Sequence, residues 1–272
     1  MKYPIQKKRF QLKNKFKKRK LKPIPKMVVP SFFTLMNLVS GFLSIIFVAD
    51  GNLMVGAWLI VLAGMFDVMD GFMARLTNST SEFGMQLDSI CDVVSFGVAP
   101  GFLVYTFAFH ELNIVGIILT ALAPCCVAIR LARYNVESKF EPTDYFNGLP
   151  SPSFAIMLAA FYLTFMNRME IFSGFEHEVN SVLIPVFVLL SFLLVSTVPF
   201  DKIPNFDRES LKRNKNRLVL LGVYFLIIVI FQDIGLMFVF TFFILKGLVL
   251  GLFVFWKKAF TDDPDPLDDG TL

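Results

Sequence analysis

Between Phe66 and Pro100 the chain reads FDVMDGFMARLTNSTSEFGMQLDSICDVVSFGVAP, which sets four aspartates, Asp67, Asp70, Asp88 and Asp92, in surroundings apolar enough to cross a lipid bilayer. On insertion scales an aspartate at the centre of a membrane helix costs roughly 2.5–3.5 kcal/mol, so the fold must bring these four to something that neutralises them. Asp67, Asp70, Gly71 and Ala74 stand at i, i+3, i+4 and i+7, one face of a helix. Gly84, Asp88 and Asp92 stand at i, i+4 and i+8, again one face. If the chain turns back between Thr77 and Ser81, the two faces oppose each other and the carboxylates converge. Convergent carboxylates call for divalent cations, because the alternatives are mutual repulsion or forced protonation.

The rest of the chain suits a membrane. It is 55% hydrophobic, 18% charged and holds 33 phenylalanines, which excludes an ordinary soluble domain and predicts an all-α, polytopic helix bundle. Each span needs about 20 apolar residues. Eight are expected, near Val29–Ala49, Leu53–Leu76, Met85–Phe109, Ile114–Tyr134, Ser153–Phe165, Val182–Val198, Leu218–Phe231 and Leu236–Trp256. The first should stay as a span, since its basic leader is too long for a cleaved signal and no small-residue cleavage site follows. Residues 1–26 carry twelve Lys or Arg and no acid, whereas residues 261–272 carry five aspartates and no base. With both termini inside, the outer loops hold one base, Arg168, among six acids, and the loop after span six holds Lys202, Arg208, Lys212, Arg213, Lys215 and Arg217. That satisfies the positive-inside rule and opens the aspartate hairpin to the cytoplasm. The basic arm suits either anionic headgroups or topology alone.

Other polar residues in apolar runs deserve a reading each. Thr34, Asn37, Gly41 and Ser44 share one face of the first span, suited to helix packing and, through Gly41 and Ser44, to a homodimer; Thr34 and Asn37 could instead hold a polar headgroup. Arg130 and Arg133 stand three apart at the inner end of the fourth span, where they either snorkel or meet a carboxylate or phosphate. The loop FNGLPSPSF cannot continue a helix, and irregular backbone at membrane depth is tolerated where it lines a cavity. Lys246 should face protein or water. Cys91, Cys125 and Cys126 lack the spacing of a disulfide framework or zinc site, and His110 and His177 fall in loops as surface histidines. The acidic tail lacks the ligand spacing of a calcium loop.

Asp67, Asp70, Gly71, Ala74, Arg75, Gly84, Asp88 and Asp92 fit the pattern D-x2-D-G-x2-A-R-x8-G-x3-D-x3-D without departure, so the chain resembles the CDP-alcohol phosphatidyltransferases. LDSICDVVSFGVAP, AIRLARYN and FNGLPSPS are similar to segments of the phosphatidylserine synthase branch. The resemblance covers roughly residues 29–153. It divides the chain into a basic arm (1–28), a transmembrane core (29–200), a basic loop (201–217), two additional helices (218–257) and a tail (258–272). It implies a divalent cation, Mg²⁺ or Mn²⁺, on Asp67, Asp70, Asp88 and Asp92, with Asp92 also as general base. Gly71, Ala74, Arg75 and Gly84 would hold the CDP moiety, helped by Thr34 and Asn37, and Arg130 and Arg133 the acceptor. The implied reaction moves a phosphatidyl group from CDP-diacylglycerol to L-serine, giving phosphatidylserine and CMP, at a cell membrane with the site facing the cytoplasm. Glycerol 3-phosphate, inositol phosphate or choline are alternative acceptors. A cation transporter is a reading from another class, set against by the absence of an inverted repeat.

Overall fold

A computed structural model describes residues 28–77, 79, 81–137, 145–175, 178–201 and 215–260. The basic arm, His177, most of the basic loop and the acidic tail lie outside the described residues. The molecule is a bundle of apolar helices: α1 (Val28–Ala49), α2 (Leu53–Leu76), α3 (Glu82–Phe107), α4 (Ile114–Glu137), α5 (Ser151–Phe165), α6 (Asn180–Val195) and α7 (Lys215–Phe260). α7 is broken at Gln232, whose φ of 47° and ψ of −113° split it into segments 215–231 and 233–260. The eight segments expected from hydropathy are therefore present as helical segments. Five helices, α1, α2, α3, α4 and α7, are long and apolar enough to cross a membrane, while α5 and α6 are shorter.

Large apolar side chains cover the outside, among them Phe32, Phe42, Ile46, Ile118 and Phe192. The inside is built around α5. Twelve of its fifteen residues are buried, so it lacks a polar face and must be enclosed on all sides. Ala155 and Ala159 meet α2 and α3, Phe154 and Leu158 meet α4 and α6, and Ile156 and Ala160 pack with Leu236 of α7. Thr164 and Arg168 join α7 from the opposite end, the hydroxyl donating to the Asp233 carbonyl at 3.2 Å and the guanidinium lying 3.9 Å from the Asp233 carboxylate.

Three departures from expectation have local causes. α3 begins at Glu82 rather than Met85, because Ser81 caps it by accepting from the Gly84 amide at 3.0 Å. Its middle, Val93–Val98, widens into a π-helical turn in which Ala99 N–H reaches the Val94 carbonyl. Pro100 has no N–H to offer the preceding turn, which removes the α-type partner there. α6 ends at Val195 rather than Val198, since Pro199 disfavours helical backbone before it. The freed chain forms β2 (Pro199–Asp201), antiparallel to β1 (Tyr145–Asn147) with Phe146 opposite Phe200. Gly148 follows β1 at φ +85°, and a Cβ there would stand 2.6 Å from the Leu194 carbonyl oxygen. The loop is thereby laid against the end of α6, with Leu149 N–H bonded to the Leu193 carbonyl at 2.9 Å. Lys246 is exposed, one residue from Gly247, which packs against Phe200 of this ribbon. It therefore sits level with the ribbon on the outer face of α7, where a lysine can extend its amine toward a membrane boundary.

The small face of α1 is used within the chain. Ser44 donates to the Gly56 carbonyl at 2.8 Å, and a Cβ at Gly41 would come within 2.6 Å of the Ser95 Cα. Gly41 and Ser44 are buried, so the expectation that this face forms a dimer is replaced by packing of α1 on α2 and α3. Since the atom in the way at Gly41 is backbone, Gly41→Ala should destabilise the bundle by about 1–3 kcal/mol. A thermal-unfolding midpoint of the detergent-solubilised variant equal to that of the parent would contradict this packing.

Candidate metal and substrate site

α2 and α3 form the hairpin that the aspartate spacing predicts. α2 ends at Leu76, where Thr77 N–H and Oγ1 both donate to the Met73 carbonyl and Ser79 N–H to that of Ala74, which turns the chain toward Ser81. At 1.5 Å per residue, Asp67 lies roughly 14 Å inside the end of α2, and Asp92 lies about 15 Å inside the start of α3. The carboxylates are thus deep within the inner half of the hairpin.

Asp67, Asp70 and Asp88 come together, each offering an oxygen within 4.8 Å of the others. Oxygens on opposite sides of one hard cation are about 4 Å apart for Mg²⁺ and about 5 Å for Ca²⁺, so this spread suits a single ion's ligand sphere. Asp70 is buried, and its Oδ2, like Oδ1 of Asp88, is enclosed with no hydrogen-bond partner among the described residues. Such atoms are costly in a helix bundle unless a proton or cation meets them. The donor set is all oxygen, which selects a hard divalent ion. The observed residues therefore fit a metal.

Asp92 stands one turn beyond this group. Its Oδ1 accepts from Asn37 Nδ2 at 2.8 Å, and the Asn37 backbone carbonyl in turn accepts from Ser95 Oγ at 3.0 Å. Asn37, which the sequence reading places at a headgroup, is fully buried with its amide on Asp92. Thr34 is also buried, neighbours Asp70 and donates to the Pro30 carbonyl at 3.2 Å. The π-helical turn places Ser95, buried against α1 directly after Asp92.

The other half-face is open. Among the described residues no atom lies within 4 Å of where a Cβ on Gly71 would stand, whereas Gly41, Gly56 and Gly64 all face close neighbours. Packing accounts for those three glycines and not for Gly71. Ala74 is half-buried, Arg75 is exposed with its Nε donating to the Gly71 carbonyl at 3.0 Å, and Gly84 gives its amide to Ser81. Gly71, Ala74, Arg75 and Gly84 therefore line the mouth of the hairpin beside the carboxylates.

The two arginines of α4 separate. Arg133 donates to three carbonyls, Val195 at 2.7 Å, Asn147 at 2.8 Å and Ser196 at 2.9 Å, which ties β1 to the end of α6. Arg130 is buried on the side of the aspartates, within electrostatic reach of Asp92 and Asp67. One Nη donates to Ser151 at 2.9 Å, its Cζ lies 5.9 Å from the centre of the Phe146 ring, and its Nε has no hydrogen-bond partner among the described residues. Ser95, Ser151, Phe146 and the Asn135–Ser89 bond at 2.8 Å are contributors that sequence reasoning did not single out. The available signal was a serine on an otherwise apolar helix.

Comparison with known proteins follows this geometry. The family model for CDP-alcohol phosphatidyltransferase matches residues 27–199, which include every residue named in the site. The chain is 31% identical over 237 residues to the CDP-diacylglycerol–serine O-phosphatidyltransferase of Helicobacter pylori (strain ATCC 700392 / 26695), covering 87% of this chain and 96% of that protein. It is 34% identical over 179 residues to the archaetidylserine synthase of Methanothermobacter thermautotrophicus, covering 65% of this chain and 71% of the relative. A Bacillus subtilis (strain 168) CDP-diacylglycerol–serine O-phosphatidyltransferase is 31% identical over 189 residues, covering 69% of this chain and 97% of that protein. With its carboxylates converging between α2 and α3 of an integral membrane bundle, the chain belongs to the CDP-alcohol phosphatidyltransferase family and is a phosphotransferase.

Proposed function

We propose that this protein transfers the phosphatidyl group of CDP-diacylglycerol to L-serine, releasing CMP, with Mg²⁺ or Mn²⁺ on Asp67, Asp70 and Asp88 and with Asp92 beside it. The observation that carries the chemistry is the group of three carboxylates, two of which, Asp70 and Asp88, have an enclosed oxygen without a hydrogen-bond partner among the described residues, next to open space at Gly71 and a buried guanidinium. The names of the relatives support serine as acceptor. We also infer that all eight helical segments cross the cell membrane, with the site and both termini at the cytoplasm. A homodimer would use a surface other than the Gly41/Ser44 face.

A divalent ion bound here supplies Lewis acidity at the pyrophosphate and offsets charge on the departing CMP. The protein's own residues do the rest. Gly71, Ala74 and Gly84 leave room for a nucleotide diphosphate between the helices, and Arg75 stands at its entrance. Asn37 holds Oδ1 of Asp92, leaving Oδ2 to accept the proton of the serine hydroxyl as its oxygen bonds to the β-phosphorus. That bond forms as the bond from the β-phosphorus to the bridging oxygen breaks, and CMP leaves with the electron pair. Arg130, with an unsatisfied Nε and a position facing Asp92, meets the carboxylate of serine. Burial strengthens such a charge-assisted contact.

Three outcomes are expected from the purified protein. EDTA abolishes product formation from CDP-diacylglycerol and labelled serine, and Asp92→Asn lowers kcat by roughly 10²–10⁴-fold. In the same preparation, Asp70→Asn and Asp88→Asn each weaken Mn²⁺ binding, read by electron paramagnetic resonance, by about tenfold or more. Full activity in EDTA would remove the metal, and full activity of Asp92→Asn would remove the base.

The arginines should differ in kind. Arg130→Lys raises KM for serine about tenfold without a matching change for CDP-diacylglycerol, since an ammonium cannot reproduce the two-pronged contact. Arg133→Lys instead lowers thermal stability and leaves KM for serine near its parent value. Assays with glycerol 3-phosphate, inositol phosphate and choline in place of serine should yield no product, and turnover of any of them above serine would move the acceptor assignment. Finally, Gly71→Val should keep the unfolding midpoint, as the space is open, while raising KM for CDP-diacylglycerol; a lowered midpoint with normal kinetics would return Gly71 to packing.

A further inference from the structure

The family match ends at residue 199, and the long kinked helix α7 (Lys215–Phe260) lies beyond it. We propose that the second segment of α7 positions the acceptor-binding guanidinium of Arg130 through Phe200 and Phe146, which face one another across the β1–β2 ribbon, so that Gly247, Phe200 and Phe146 are positioning residues for the reaction. This rests on the reading that Arg130 meets the carboxylate of serine.

The chain of contacts begins at Gly247. A Cβ there would run into the ring of Phe200, so the absence of a side chain is what lets β2 lie on α7. Phe200 is fully buried, and its ring centre stands 5.6 Å from that of Phe243, one turn earlier on the same helix. Gly251, one turn later, repeats the close approach with Val198. Across the ribbon, Phe200 pairs with Phe146, and directly opposite side chains of an antiparallel pair stand on the same face. Phe146 then covers Arg130, with 5.9 Å from the guanidinium carbon to the ring centre, inside the range of a cation–π contact.

The ribbon cannot set its own position. It has three residues per strand, and an isolated two-stranded ribbon is at best marginally stable. Its place is fixed by the Arg133 contacts to Asn147, Val195 and Ser196 on one side and by α7 on the other. Arg130 is similarly dependent. Among the described residues, a hydrogen bond to Ser151 and the Phe146 ring are the contacts that aim it. A shift of the ribbon away from α5 therefore lets the guanidinium swing, and misplacement on the order of 1 Å is enough to lose a productive pose.

The test uses the full-length protein in detergent, with serine and CDP-diacylglycerol varied in turn. Gly247→Leu, Phe200→Leu and Phe146→Leu are each expected to raise KM for serine about five- to tenfold, with KM for CDP-diacylglycerol and kcat within about twofold. Phe146→Tyr, which keeps the ring face, should restore the parent KM. Because all of these act through one side chain, combining Phe200→Leu with Arg130→Lys should add little to Arg130→Lys alone. The proposal is overturned if Arg130→Lys raises KM for serine while Gly247→Leu and Phe200→Leu leave it unchanged, a result that keeps Arg130 and removes the buttress. Full additivity in the double variant, or equal losses in both KM values together with a lowered unfolding midpoint, overturns it as well. An unchanged KM in Arg130→Lys overturns the reading of Arg130 itself and the buttress with it.

Discussion

Carboxylate oxygens of Asp67, Asp70 and Asp88, within 4.8 Å of one another inside a bundle clad in phenylalanine, leucine and isoleucine, are a charge problem that the surrounding structure is arranged to meet. Lipid offers nothing to such a group, so the compensation must come from the helices themselves and from whatever cation or proton the cluster takes up. That requirement explains the polar residues of α1. Thr34 neighbours Asp70, and Asn37 donates to Asp92, so the first helix serves as a second wall of the acidic site. It also explains the close fit of α1 on α3, since the Asn37–Asp92 bond and the Ser95–Asn37 bond both need the two backbones near each other, as the absence of a side chain at Gly41 allows.

The same constraint separates the two arginines that look equivalent in sequence. Three residues apart on one helix, Arg130 and Arg133 share a face only approximately, and a rotation of about 60° between them decides their neighbours. Arg133 reaches the end of α6, where carbonyls without helical partners accept its donors. Arg130 is buried within electrostatic reach of Asp92 and Asp67, where positive charge lowers the energy of an acidic site, and among the described residues its Nε has no hydrogen-bond partner. Neither outcome is encoded in the spacing. Both depend on where α6 stops, and α6 stops because of Pro199.

The helical segments, the aspartate hairpin and the place of its turn were legible in the sequence because each rests on a local rule: hydrophobic length, i, i+4 spacing, and the polar break between Thr77 and Ser81. What was not legible depends on contacts between distant segments. The β1–β2 ribbon joins residues more than fifty positions apart, with strands too short to carry an alternation signal. The Gly41/Ser44 face reads equally as a dimer surface or an internal contact, because a stripe of small residues says only that another backbone comes close, not whose. The π-helical turn at Val93–Val98 follows from Pro100 in principle, but a proline in an apolar run signals only a disturbance. Its effect, bringing Ser95 under Asn37, appears only once α1 is in place.

The helix beyond the family match shows how such a scaffold can be extended without touching the chemistry. α7 contributes no residue to the acidic site, yet it closes one side of α5, through Ile156 and Ala160 on Leu236, and bears on the ribbon through Phe243 and Gly247. The second contact bears on the mouth, whereas the first lies toward the end of α5 that Asp233 joins. The four carboxylates stand on α2 and α3 with α1 against them, whereas the wall that carries Arg130 is assembled from α4, the start of α5 and the ribbon. On the roles proposed for them, reaction and acceptor choice would be housed on different sets of helices. A change in the second set can alter which alcohol is accepted while the site that activates the nucleotide stays intact, which is the physical condition under which one fold can serve several acceptors.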